Sequence, residues 1–129
     1  MEKLFHRGSI LPLVFALFIF ILSVIPTDFG GGPPSFYFPG MDKVIHAGMY
    51  GTLALLVLYG LIKYDRFTPR QIVFNLLLVW LYSAFMELLQ YLFIRSRSGE
   101  WRDMLANLAG IVLAYVLVLL LRKLFISKS

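Results

Sequence analysis

Four apolar runs, at about residues 9–25, 44–62, 72–94 and 104–121, leave this chain few ways to fold. Their lengths bracket the ~20 residues that cross a bilayer as an α-helix. The second, for example, has about 19 residues and rises roughly 28 Å at ~1.5 Å per residue. A chain of 129 residues that is 60% hydrophobic has too little interior to hide so much apolar side chain from water. The expectation is an all-α integral membrane protein, a single domain over 1–129 built as a four-transmembrane-helix bundle.

The first run follows Lys3 and Arg7 and has the flanks of a signal peptide. Its core is longer than the usual apolar region of one, and Ser23-Val24-Ile25-Pro26 is a poor cleavage site. It therefore reads as a retained helix, with Pro12 in its first turn, where a missing N–H does little harm. Between the first two runs, Gly30-Gly31-Gly32-Pro33-Pro34 and Phe36-Tyr37-Phe38-Pro39-Gly40 exclude regular structure. The aromatic trio suits a connector held at the membrane–water interface. Residues 63–71 form a short polar turn, and residues 95–102 a compact basic loop.

The net charge of +5 invites a nucleic-acid reading, but the basic residues sit in short connections and not along a stripe. They reflect insertion topology, and no nucleic acid is expected as a partner. Lys3, Arg7, Lys63, Arg66, Arg70, Arg122, Lys123 and Lys128 fall on one side of an alternating thread. Lys43, Arg95, Arg97 and Arg102 fall on the other. Eight against four puts both termini in the cytoplasm, N-in and C-in. Cysteine is absent, which removes disulfides, thiolate ligands and a cysteine nucleophile.

Polar residues interrupt three of the runs, each time at one end. Asp42, Lys43 and His46 open the second, Glu87 and Gln90 fall late in the third, and Asp103 and Asn107 open the fourth. Up-down threading brings these ends to one side of the bilayer, facing outward in the orientation above. Residues spaced 0, 4, 7 and 11 share a helix face. In the fourth run that face reads Asp103, Asn107, Gly110, Ala114, polar outside and small within, as close helix contact in lipid prefers. In the third it reads Ser83, Glu87, Gln90, Ile94, with Tyr91 one turn beyond Glu87. In the second it reads Asp42, His46, Met49, Leu53.

Depth separates these side chains. Asp42, Lys43 and Asp103 lie at the boundary within reach of water, whereas His46, Gln90 and Asn107 sit about one turn inside. Glu87 lies roughly 10 Å below the interface if its helix is regular. A carboxylate at that depth either has a partner, for which His46, Arg95 and Arg97 are the candidates, or takes a proton.

Several chemistries fit these residue types. They could be interhelical hydrogen-bonding glue. His46, Glu87, Asp42 and Asp103 are suitable metal ligands, but one histidine and no tight motif argue against a metal, and no cofactor is expected. His46 oriented by Asp42 or Glu87 could act as a general base, although spacing marks out no hydroxyl nucleophile. Lys43, Arg95 and Arg97 could bind an anionic headgroup, a peptide carboxylate or a phosphate. Of the isolated features, His6 reads as a polar residue of the cytosolic end and Asn75 as a capping or interhelical hydrogen bond. Trp80 reads as lipid-facing or packed, and Trp101 as an interface anchor.

Asp42-Lys43-x-x-His46-x-x-x-Tyr50, Glu87-x-x-Gln90 and Arg97-Ser98-Gly99-Glu100-Trp101-x-Asp103-x-x-x-Asn107-x-x-Gly110 together resemble the VanZ-like membrane protein family. The likeness runs from about Asp42 to the end of the fourth run. Downstream spacing makes Arg97 the motif arginine, and Arg95 is an additional candidate. The resemblance implies a four-helix bacterial membrane protein of the cell envelope; the founding member is linked to reduced susceptibility to teicoplanin.

The combined expectation is a multi-pass protein of the bacterial cytoplasmic membrane. Its outward pocket, formed by Asp42, Lys43, His46, Glu87, Gln90, Arg97, Asp103 and Asn107, would bind an anionic lipid headgroup or cell-wall ligand. The alternatives are an enzyme on a lipid-linked envelope intermediate using His46 and Glu87 as acid and base, and a small transporter with Glu87 as a proton-coupled site.

Overall fold

The structure is a computed structural model that describes residues 7–25, 40–93 and 101–126. Within them the chain forms four α-helices and no strand: α1 Arg7–Val24, α2 Met41–Lys63, α3 Pro69–Phe93 and α4 Trp101–Ile126. Helices are what an apolar chain must form in lipid, because each then satisfies its own backbone. By length and composition α2, α3 and Trp101–Phe125 of α4 can cross a membrane, and Ile10–Val24 is a shorter apolar helix.

Three helices begin about three residues before the apolar runs do, and α4 ends about five residues later. The residues that looked like boundaries are first-turn residues. Asp42 and Asp103 place negative charge at helix N-termini, where the backbone dipole favours it. Pro69 occupies a first helical position, which needs no N–H, and Thr68 Oγ1 accepts from the Gln71 amide at 3.3 Å. Gly40 enters α2 at φ 86°, a left-handed conformation that favours glycine. Because α1 already starts at Arg7, Pro12 falls in its second turn, one turn deeper than expected.

Side chains facing away from the bundle are large and apolar. Leu13, Val14, Val73, Phe74, Leu113 and Leu120 are all exposed. Such a surface suits acyl chains and marks a membrane protein. Ile19, Tyr50, Leu53, Ala54, Val79, Ile111 and Ala114 form one buried cluster, with Leu58, Leu61, Ile72 and Val118 forming a second beside it.

The closest helix contact is between α2 and α4. A Cβ on Gly51 would lie 3.1 Å from the Gly110 carbonyl oxygen, and one on Gly110 would collide with the Ala47 backbone. Glycine is what lets the two helix axes approach there. The first helix joins the bundle. Ile19 is fully buried, and the Tyr82 hydroxyl of α3 donates to the Ala16 carbonyl.

Candidate functional site

The start of α2, the end of α3 and the start of α4 meet at one end of the bundle. From α2 come Asp42 and Lys43 in the first turn and His46 one turn in; from α3, Glu87 and Gln90; from α4, Asp103 and Asn107. Lys43 Nζ bridges two carboxylates, Asp42 Oδ2 at 3.1 Å and Asp103 Oδ1 at 3.4 Å. His46 Nδ1 lies 3.3 Å from Glu87 Oε1, within ion-pair distance but without hydrogen-bond alignment. One ligand-type atom each from His46, Glu87 and Asp103 lies within 4.8 Å of the others. Asn107 stands beside His46.

Below the rim these side chains are buried. Glu87 is 5% exposed, Asp103 7% and Asn107 0%. Yet, among the described residues, His46 Nδ1, Glu87 Oε2 and both amide atoms of Asn107 are buried with no well-aligned hydrogen-bond partner. An orphaned buried polar atom costs on the order of 1–3 kcal/mol. Four of them in one place are unusual for a network whose only task is to hold helices together, since such networks close on themselves. The arrangement can do three things: move a proton between His46 and Glu87, ligate a cation, or hydrogen-bond the polar head of a ligand.

The three helices bring together His46, Glu87, Asp103 and Asn107, with Asp42 and Lys43 at the rim. Of the candidate partners for Glu87, His46 is the one among the described residues, and it lies within ion-pair distance. Asp103 does not lie at the water boundary as its place in the sequence suggested. The early start of α4 carries it inside, under Lys43. Gln90 turns toward α1, where its Nε2 donates to the Ser23 carbonyl at 3.2 Å. That carbonyl is among the last four of α1, which have no partner within their own helix. Ser23 is itself buried, and sequence reasoning missed it as a neighbour of the site. Its only signal is a hydroxyl residue near the end of an otherwise apolar run. Arg95 and Arg97 lie outside the described residues.

Other expectations resolve plainly. Tyr91 is exposed and takes no part. Asn75 neither caps nor crosses to a neighbour; its Nδ2 donates to the Gln71 carbonyl of its own helix at 2.8 Å. Trp80 spans α3 and α4, with Nε1 3.4 Å from the Met104 carbonyl oxygen. Trp101 is exposed at the helix end under the Arg102 guanidinium, as an interface anchor would be.

The opposite end of the bundle differs in kind. Lys63, Arg66, Arg70, Arg122 and Lys123 all fall at that end, and the Arg122 guanidinium sits 4.2 Å from the Phe67 ring centre. A groove of about 440 Å³ between α2 and α4 opens near that end, lined by Leu55, Tyr59, Ile62, Val118, Leu121, Arg122 and Phe125. Apart from Arg122 it offers apolar surface and no catalytic or ligating cluster. The candidate site is therefore the polar chamber.

The family model described as VanZ/LLP1 matches residues 4–122, from before α1 into the last turns of α4. No curated protein and no solved structure matches the chain.

Proposed function

Because this chain belongs to the VanZ/LLP1 family, we propose that it is a cell-envelope protein of the bacterial cytoplasmic membrane whose polar chamber receives the head of an anionic lipid or cell-wall ligand. The chamber faces outward and both termini lie in the cytoplasm. The concentration of Lys and Arg at the far end of the bundle supports that orientation. α1 completes a four-span bundle. Asp42, His46, Glu87 and Asp103 form the hydrogen-bonding centre, Asn107 and Gln90 orient it, and Lys43 and Arg97 contact the anion.

One observation carries this reading: buried polar atoms of His46, Glu87 and Asn107, from three helices, lie at one end of the bundle without well-aligned partners among the described residues. In a closed structural network they would satisfy each other. A ligand headgroup supplies what they lack.

A second reading has its own support. His46 and Glu87 at 3.3 Å resemble a base and the group that orients it, which would suit proton transfer on a lipid-linked envelope intermediate.

The test expresses the wild type and the variants His46→Asn, Glu87→Gln, Asp103→Asn and Asn107→Asp in a teicoplanin-susceptible bacterium. Membrane level and glycopeptide susceptibility are read together. A binding chamber predicts normal levels for the near-isosteric variants with loss of any susceptibility phenotype. Levels that fall in parallel with the phenotype would instead identify an interhelical network and overturn the proposal.

A further inference from the structure

Among the described residues, Glu87 and Asp103 bring two buried carboxylates up to one imidazole, and the Lys43 ammonium is shared between Asp103 and Asp42 at the rim. Buried carboxylates call for compensating positive charge, which a bound cation can supply.

The geometry of the same groups suggests how a cation would be held. His46, Glu87 and Asp103 each offer a ligand atom, all within 4.8 Å of one another, and His46 Nδ1 and Glu87 Oε1 are 3.3 Å apart. Donors around a tetrahedral ion with bonds of ~2.0–2.2 Å stand about 3.3–3.6 Å apart, so small side-chain rotations suffice. An independent feature points the same way. Asn107 is fully buried beside His46, and its amide oxygen, like Glu87 Oε2, has no well-aligned hydrogen-bond partner among the described residues. Each is a buried oxygen donor on or next to the cluster.

We propose that His46, Glu87 and Asp103 hold one divalent metal ion, with the Asn107 amide oxygen completing or orienting the set. One imidazole nitrogen with carboxylate and amide oxygens suits Zn²⁺ or Mn²⁺. An all-oxygen set would favour Mg²⁺ or Ca²⁺ instead. With Asn107 orienting the set, three side-chain ligands leave a coordination position open. The ion adds positive charge beside the buried carboxylates and can accept an anionic oxygen at that position. The metal site deepens the headgroup reading, resting on its chamber but not on the identity of its ligand.

The test uses the full chain with any affinity tag removed, stripped by chelator in detergent with no lipid headgroup added. It is titrated with Zn²⁺ and with Mn²⁺ against a chromophoric competitor, and retained metal is counted after desalting. One ion per chain is expected. His46→Ala, Glu87→Gln and Asp103→Asn should each weaken binding by about tenfold or more. His6→Ala, which removes the chain's other histidine, should bind like the wild type. If the ligand variants fail to fold, X-ray absorption of the wild-type Zn²⁺ form decides, because one imidazole must appear in the coordination shell. Substoichiometric binding, affinity unchanged in all three variants, or a shell without imidazole would overturn the site. Vesicles containing phosphatidylglycerol test the headgroup reading separately, so metal binding without vesicle-lipid binding would sink that reading alone.

Discussion

The contact that sets the chamber's dimensions is the approach of α2 to α4, and three glycines test it in graded fashion. A Cβ at Gly110 would stand 2.8 Å from the Ala47 carbonyl carbon and 2.9 Å from its Cα. The Ala47 carbonyl oxygen is nearer still; all three are backbone atoms, so none can swing aside, and ordinary contact at 3.4–4 Å requires the helices to part by more than about 1 Å. Overpacking of this kind costs roughly 1–3 kcal/mol. The better helix propensity of alanine returns at most about 1 kcal/mol. Gly110→Ala should therefore lose about 1–2 kcal/mol net. At Gly51 the added carbon meets the Gly110 carbonyl oxygen at 3.1 Å, a milder conflict, and at Gly48 it meets nothing within 4 Å. The expected order of stability is Gly48→Ala at or above wild type, then Gly51→Ala, then Gly110→Ala. Denaturation of the purified protein in mixed detergent micelles measures it. The consequence extends to the site, because Ala47 follows His46 and Gly110 lies one turn from Asn107. Parting the helices pulls His46 away from Asp103 and Asn107. Equal stability of Gly110→Ala and Gly48→Ala would refute the close approach and the chamber built on it.

Other perturbations read separate features. Gln90→Leu removes the donor that satisfies the Ser23 carbonyl, so it should cost on the order of 1–3 kcal/mol and loosen α1. Faster proteolysis within α1 in detergent would register this, and unchanged proteolysis and stability would remove Gln90 from that role. Orientation is accessible because the chain has no cysteine. Trp101→Cys, at the chamber end, should react with a membrane-impermeant maleimide in intact cells, whereas Arg66→Cys should react only after permeabilisation. The reverse pattern would place the chamber on the cytosolic side.

Much of the bundle was legible because hydrocarbon imposes one rule throughout. Apolar length gave the four helices, and their alternation carried Asp42, Glu87 and Asp103 to a single end. The helix-face pattern of α4 also held: Asp103, Asn107, Gly110 and Ala114 are all buried. Helix ends were less legible, because a hydropathy boundary is not a hydrogen-bonding boundary. Asp42, Pro69 and Asp103 look like loop residues by polarity but favour the first turn. Asp103 shows the difference: its polarity and position suggest the water boundary, yet as a first-turn residue of α4 it is buried beneath Lys43. The destinations of Gln90 and Asn75 were illegible for another reason. An amide side chain reaches several partners from one position, and only the neighbouring backbone decides among them.

Lys43 separates the possible uses of the chamber. By sequence it is an anion contact, but its ammonium lies between Asp42 and Asp103, 3.1 and 3.4 Å away. For Lys43 to meet an incoming anion it must share or leave those carboxylates, and leaving them takes the ammonium away from the buried Asp103. A cation between His46, Glu87 and Asp103 removes this conflict, because it takes over the neutralisation of Asp103 and frees the ammonium to turn toward the rim. Metal and Lys43 would then act in sequence, the ion compensating the buried carboxylates and the lysine meeting the ligand. On this account Lys43→Met should leave metal affinity intact or improve it, since a competing positive charge is gone, while weakening the binding of phosphatidylglycerol vesicles. Were Lys43→Met to abolish metal binding, the lysine would be needed to hold Asp103 in place and the two roles could not be separated in this way.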